Sequence, residues 1–118
     1  MAEAPNKMTT RSITISPRQG EFDELIELVH NWAEERNLLS RDNVKSQMLK
    51  VVEEIGETAR AVNKGDMLET VDGIGDSFVT LIILAFQLGL SPAQCLYDAY
   101  EVIKSRTGKT VNGTFIKD

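Results

Sequence analysis

The chain has 118 residues, 42% hydrophobic and 26% charged, which fits one globular domain with a modest core and leaves no room for several domains. Its net charge of -5 argues against a nucleic-acid polymer as partner, because that affinity comes from clustered Lys and Arg, but a free nucleotide can arrive with its own metal. Cys95 is the single cysteine and cannot form an internal disulfide; no apolar run is long enough for a bilayer and the N-terminus has no apolar signal core, so the expectation is a reduced, cytoplasmic setting without a membrane partner.

Residues 1–20 are polar, with Pro5 and Pro17, and are expected to be a flexible lead-in before a domain over residues 21–118; Ser16-Pro17 is its start signal. From Glu21 to Asn37, the residues Phe22, Leu25, Ile26, Leu28, Val29, Trp32 and Ala33 recur at amphipathic spacing and predict a first helix that stops at Asn37. After a connector over Leu38–Arg41, with Ser40, Asp42 or Asn43 available as a cap, a second helix is predicted over Val44–Asn63. Val44, Met48, Val51, Val52, Ile55, Ala59 and Val62 fall within an arc of roughly 100° and form its apolar stripe, while Gln47, Lys50, Glu54, Glu57 and Ala61 form a polar one.

Gly65 ends that helix and Asp66 caps a third, predicted over Met67–Leu88. Past Asp76 it is apolar almost all round, which predicts a buried central helix. Glu69, Asp72 and Asp76 fall within an arc of roughly 60°, and Val79, Ile83 and Phe86 continue their line, so the acids are expected on a stripe treated as core. Gly89 ends this helix. Ser91-Pro92 then starts a fourth, running to about Arg106, with Leu96, Ala99, Tyr100 and Ile103 expected to face inward. Gly108 and Gly113 break up a short irregular C-terminal tail in which Thr110-Val111 and Thr114-Phe115-Ile116 are candidates for extended backbone. The expected architecture is an all-α, four-helix bundle.

The acids are where the chemistry concentrates. Lys50, Arg60 and Lys64 accompany seven acids, Glu53, Glu54, Glu57, Asp66, Glu69, Asp72 and Asp76. Two helices joined by the short Asn63–Asp66 link pack antiparallel, which lets the two acid sets face each other. Solvated faces account for many such acids, and Lys50 can pair with Glu53 and Glu54 at helical spacing. Carboxylates on an otherwise apolar stripe, short of cations, instead attract an external one; an all-oxygen donor set suits Mg²⁺ or Mn²⁺ rather than zinc. Gly73 and Gly75 beside them serve either close helix packing or the approach of a phosphate. Lys104, Arg106, Lys109 and Lys117 lie at the end of the fourth helix and in the tail, as dipole and solubility charges or as a phosphate clamp.

Glu53-Glu54-Ile55-Gly56-Glu57 fits E-E-x-x-E, and Asp72-Gly73-Ile74-Gly75-Asp76 is a variant of the acid-x-x-D half that follows it in one family. Trp32–Leu39, Gln47 and Lys50 before the acids, Ile103–Lys109 and Val111–Lys117 extend the likeness over about residues 21 to 117. On these residues the chain resembles the MazG-like all-α nucleoside triphosphate pyrophosphohydrolases, in particular short, phage-type members. It departs from them at Gly73, which stands where the first acid of the second half belongs and leaves Asp72 or Glu69 as substitute, and at Glu101, where an Asn is common.

The resemblance implies Mg²⁺-dependent (Mn²⁺ is possible) hydrolysis of a (deoxy)nucleoside triphosphate to monophosphate and pyrophosphate. It implies metal ligation by Glu54, Glu57 and Asp76 with Asp72 or Glu69, a water oriented or deprotonated by Glu53 or Glu54, and phosphate contacts from Lys50, Lys104, Arg106 and Lys109. It also implies a homo-dimer or tetramer whose pocket is built partly by a neighbouring subunit. His30, Trp32, Phe78 and Phe86 are candidates for stacking on the base, each set against ordinary core packing. Glu27-Leu28-Val29-His30 spells half of a di-iron motif, but the chain has a single histidine and cannot complete it. The alternative function is a non-catalytic helical module that binds nucleotide or protein.

Overall fold

Local signals set most of the helix ends, in a computed structural model that describes residues 21–118; the expected lead-in over residues 1–20, with Ser16-Pro17, lies outside them. In chain order come α1 (Glu21–Glu35), a one-turn 3-10 helix (Arg41–Asn43), α2 (Val44–Asn63), α3 (Met67–Gln87) and α4 (Pro92–Ile103), followed by strands β1 (Gly108–Val111) and β2 (Thr114–Lys117). Asn37, Gly65 and Gly89 all have positive φ, at 60°, 72° and 75°. At each, the next residue's N–H reaches back to a carbonyl of the closing turn, Leu38 to Ala33, Asp66 to Ala61 and Leu90 to Ala85, which satisfies groups that the helix end would otherwise orphan. Asp66 accepts from the Glu69 N–H at 3.0 Å and Ser91 from the Gln94 N–H at 3.1 Å. Of the three candidate caps in the connector, Ser40 acts, accepting from the Asp42 N–H at 3.1 Å, while Asn43 makes no capping side-chain bond to α2.

α2 and α3 form an antiparallel pair, with α1 running parallel to α3 alongside it. Three polar contacts tie them together: Gln47 Nε2 donates to the Thr80 carbonyl at 3.1 Å, the Thr58 and Ser77 hydroxyls lie 3.5 Å apart, and Lys64 Nζ sits 3.2 Å from Glu69 Oε1 near the link. On α1, Phe22 meets Phe78 and His30 meets Phe86, so both chains advance in the same direction. Gln87 Nε2 donates to the Leu38 carbonyl at 2.7 Å and Arg41 Nη2 to the Leu88 carbonyl at 3.0 Å, tying the connector to the end of α3.

The seam between α2 and α3 is made of small and hydroxyl side chains. Val51 and Ala61 are buried from α2, and Gly73, Ser77, Thr80 and Gln87 from α3. Thr58 Oγ1 donates to the Glu54 carbonyl, Ser77 Oγ to Gly73 and Thr80 Oγ1 to Ser77, so the hydroxyls enter the seam with their hydrogen bonds made. A Cβ on Gly73 would overlap Thr58 Oγ1 and come within 3.1 Å of the Thr58 Cα. Close helix approach therefore accounts for Gly73. No such contact surrounds Gly75, where a Cβ would meet open space.

This seam corrects two expectations about which residues face the core. The buried line of α3 is rotated about one residue from Asp72–Asp76: both acids are exposed, as is Glu69, whereas Gly73, Ser77 and Thr80 are buried. Ile83 alone of their expected continuation is fully buried, beside half-buried Val79 and Phe86. On α2 the apolar stripe is largely uncovered, with Met48, Val52, Ile55 and Val62 about half exposed. Met67, Val71, Ile74, Phe78 and Leu81 on α3 are likewise exposed. So α3 is central but its apolar surface is only partly covered within this chain.

α4 leaves α3 at an angle of 102° and buries no residue; Leu96, Tyr100 and Ile103, expected to face inward, are more than half exposed. The C-terminal tail is ordered as an antiparallel hairpin rather than irregular, with Gly108 opposite Lys117 and Val111 opposite Thr114. Asn112 and Gly113 both have positive φ, 51° and 80°, the two-residue turn that matches strand twist. The ring of Phe115 lies across Gly108, where a Cβ would sit 2.7 Å from Cζ. At the open end Thr107 Oγ1 donates to Asp118 Oδ2 at 2.9 Å. Among the described residues, no single helix is long and apolar enough to cross a membrane.

Candidate functional site

The packing of α2 on α3 sorts their other residues onto two faces. At about 100° per residue from the seam, Met48, Val52, Ile55 and Val62 turn off to one side of α2, and Glu53 and Glu57 to the other. On α3, Met67, Ile74, Phe78 and Leu81 turn one way, and Glu69, Asp72 and Asp76 the other. Because the helices are antiparallel, the two apolar flanks share one face of the pair and the two acid flanks share the opposite face. The Lys64–Glu69 ion pair joins the helices on that acid face.

This pair also sets levels along the axis. Counted from the Lys64–Glu69 pair, Glu57 and Asp76 stand at about the same level. Glu53 and Glu54 lie one turn away from the link and Asp72 one turn toward it. Glu54 sits at the edge of the seam, its side chain 13% exposed, whereas Glu53 is 55% exposed. Lys50 Nζ reaches both, at 3.2 Å from Glu53 Oε1 and 3.6 Å from Glu54 Oε2. The hydrogen bond and charge of Glu53, with a smaller contribution from Glu54, raise the Lys50 pKa above its ordinary value. Glu69 belongs to a different set, at the link, engaged by Lys64.

Among the described residues, no three His, Cys, Asp or Glu side chains converge closely enough to hold a metal ion as they stand. The donor set still fits Mg²⁺ in its chemistry: hard carboxylate oxygens, one shared face, and Glu57 opposite Asp76 across the pair. Glu57, Asp72 and Asp76 are exposed, so rotation about their side-chain bonds is unobstructed by packing. Open space at Gly75 leaves room beside Asp76.

The tail cations are not brought to these acids within one chain. From Asp76 to Gln87 is about 16 Å of helix, and α4 then departs at 102°. Lys104 pairs with Glu101 at 2.9 Å. In the hairpin register, Lys109 shares a face with Ile116 and Lys117 with Gly108, so the two lysines point to opposite faces of the sheet.

The four aromatic candidates already have protein partners. Arg36 lies over the Trp32 ring, 4.3 Å from its centroid, and donates from Nη1 to the Trp32 carbonyl at 2.9 Å. His30 meets Phe86 edge-on at 4.6 Å, and its Nδ1 is 3.3 Å from Asn31 Oδ1. Phe78 meets Phe22 edge-on at 6.0 Å. Packing of α1 on α3 accounts for His30, Phe78 and Phe86; the outer face of Trp32 carries a cation. Sequence periodicity missed the role of Thr58 and Ser77, which set the spacing of the acid-bearing helices, because hydroxyls add nothing to an apolar stripe.

The chain is 41% identical over 69 residues to an uncharacterized 18.2 kDa protein in the rep-hol intergenic region of Haemophilus phage HP1. The match covers 57% of this chain, and the chain spans 41% of that phage protein's length. No family model and no solved structure matches.

Proposed function

We propose that the chain is a MazG-like nucleoside triphosphate pyrophosphohydrolase whose acid face hydrolyses (deoxy)nucleoside triphosphates to monophosphate and pyrophosphate. The observation that carries this reading is the placement of Glu54 and Glu57 on α2 with Asp72 and Asp76 on α3 on one face of one antiparallel pair, with Glu57 level with Asp76. Glu54, Glu57 and Asp76 hold Mg²⁺, or Mn²⁺ in its place, with Asp72 as fourth carboxylate. Glu69, which pairs with Lys64 at the link, is the alternative to Asp72 in this reading. When bound, the metal neutralises phosphate charge and lowers the pKa of water. Glu53, more exposed than Glu54, orients the attacking water and accepts its proton. The water oxygen joins phosphorus at the α–β bridge, the bridging P–O bond breaks, and pyrophosphate leaves.

The working unit in this reading is a homo-oligomer, dimer or tetramer. Apolar residues recur at alternating spacings of four and three, Met48, Val52, Ile55, Ala59 and Val62 on α2 and Met67, Val71, Ile74, Phe78 and Leu81 on α3. That is the seam pattern of packed helices, here uncovered, and a second copy offers the same two stripes. Assembly also gives Lys104, Arg106 and Lys109 of one copy a route to the phosphates at another's acids.

The experiment is pyrophosphate release with Mg²⁺ by wild type and Glu54→Gln, with helicity monitored by circular dichroism. Loss of release at retained helicity is expected; full activity in the variant contradicts the assignment. The exposed, splayed carboxylates favour one second reading, a non-catalytic helical module that binds nucleotide or a protein. It predicts nucleotide or partner binding with no Mg²⁺-dependent pyrophosphate release by the wild type.

A further inference from the structure

We propose that Lys50 is the resident counter-ion of the acid face, an ammonium that occupies the carboxylates of Glu53 and Glu54 until a divalent cation displaces it. The inference rests on the metal-site reading above and assigns Lys50 a role before substrate arrives.

Lys50 touches both acids through one nitrogen, 3.2 Å from Glu53 Oε1 and 3.6 Å from Glu54 Oε2. Glu54 needs such a partner most, since its side chain is the more enclosed and a buried carboxylate is costly without one. The pair adds little to helix stability, since Lys N-terminal to Glu at a spacing of four is the weaker order. The two carboxylates beside the Lys50 ammonium do explain it.

A hard cation would take the same Glu54 oxygens at about 2.1 Å. Two positive charges sharing one carboxylate repel, so metal entry and the Lys50 pair oppose each other. The Lys50 side chain is 51% exposed and its stem can swing outward, which leaves the displaced ammonium free to meet a phosphate oxygen. Lys64 provides the comparison within the same molecule: it makes a pair of the same length, 3.2 Å, but with Glu69 at the link.

The test is Mn²⁺ affinity without nucleotide, read from the electron paramagnetic resonance signal of free Mn²⁺ at low ionic strength. Wild type, Lys50→Met, Lys50→Gln, Lys50→Arg and Lys64→Met are compared, each checked for helicity. Lys50→Met and Lys50→Gln should bind Mn²⁺ about two- to five-fold tighter, the range of an exposed pair, with Lys50→Arg near wild type and Lys64→Met unchanged. Wild-type binding with no gain in either neutral variant overturns the counter-ion role and leaves the metal site standing. An equal gain in Lys64→Met also overturns it, by showing a general charge effect. Absence of Mn²⁺ binding in every variant overturns both this inference and the metal reading beneath it.

Discussion

At the scale of single residues, the acid face is organised by what lies beneath it. Gly73 lets α3 approach Thr58, and so sets the spacing of the two acid-bearing helices. Gly73→Ala should lower stability by about 2 kcal/mol in thermal or denaturant unfolding, the cost of overpacking, and the loss should shrink in a Thr58→Ala background. Gly75→Ala, facing open space, should be neutral or stabilising by up to about 1 kcal/mol from helix propensity. Among the acids, Asp72→Asn should abolish pyrophosphate release, whereas Glu69→Gln should leave kcat within a few-fold of wild type, because Lys64 already engages Glu69 at the link. The reverse order would move the fourth ligand to Glu69. Local signals at this scale were legible: Asp66 and Ser91 cap as expected, and Asn37, Gly65 and Gly89 end their helices, because a few atoms of neighbouring backbone decide each. The sequence leaves Asp72 and Glu69 level; the Lys64–Glu69 pair that sets them apart in the fold joins the end of α2 to α3 and leaves no local sequence signal.

At the scale of elements, helix boundaries followed from periodicity and stop signals, while burial did not. Apolar spacing identifies a face that wants cover without saying which surface covers it. The stripe through Val52 and Ile55 reads as core but is exposed here, while the true seam runs through Thr58, Ala61, Gly73, Ser77 and Thr80, which are too small or polar to register as a stripe. The hairpin was half legible: its extended residues were marked, but Asn112-Gly113 is a two-residue hairpin turn rather than a break between irregular pieces. Gly108→Ala should disrupt that hairpin, because Phe115 and the facing strand occupy the space of a Cβ. Amide exchange at Lys109–Val111 and Thr114–Lys117 should speed up, with α2 and α3 unaffected. Unchanged protection would show that the ring of Phe115 moves aside freely.

At the scale of the whole molecule, two features support the proposed homo-oligomer: a broad uncovered apolar face on α2 and α3, and a basic C-terminal arm that follows the 102° departure of α4. Val52→Glu with Ile55→Glu should dissociate the assembly to monomer in sedimentation equilibrium while retaining α-helical circular dichroism, since both residues are outside the seam. A wild-type monomer at high concentration would contradict the oligomer. The most direct test of the central claim is product analysis across the common ribo- and deoxynucleoside triphosphates, with Mg²⁺ and with EDTA. At least one should yield its monophosphate and pyrophosphate in equal amounts, without orthophosphate appearing first, and EDTA should stop the reaction. Orthophosphate as first product, release undiminished by EDTA, or no turnover of any of these nucleotides would contradict that claim.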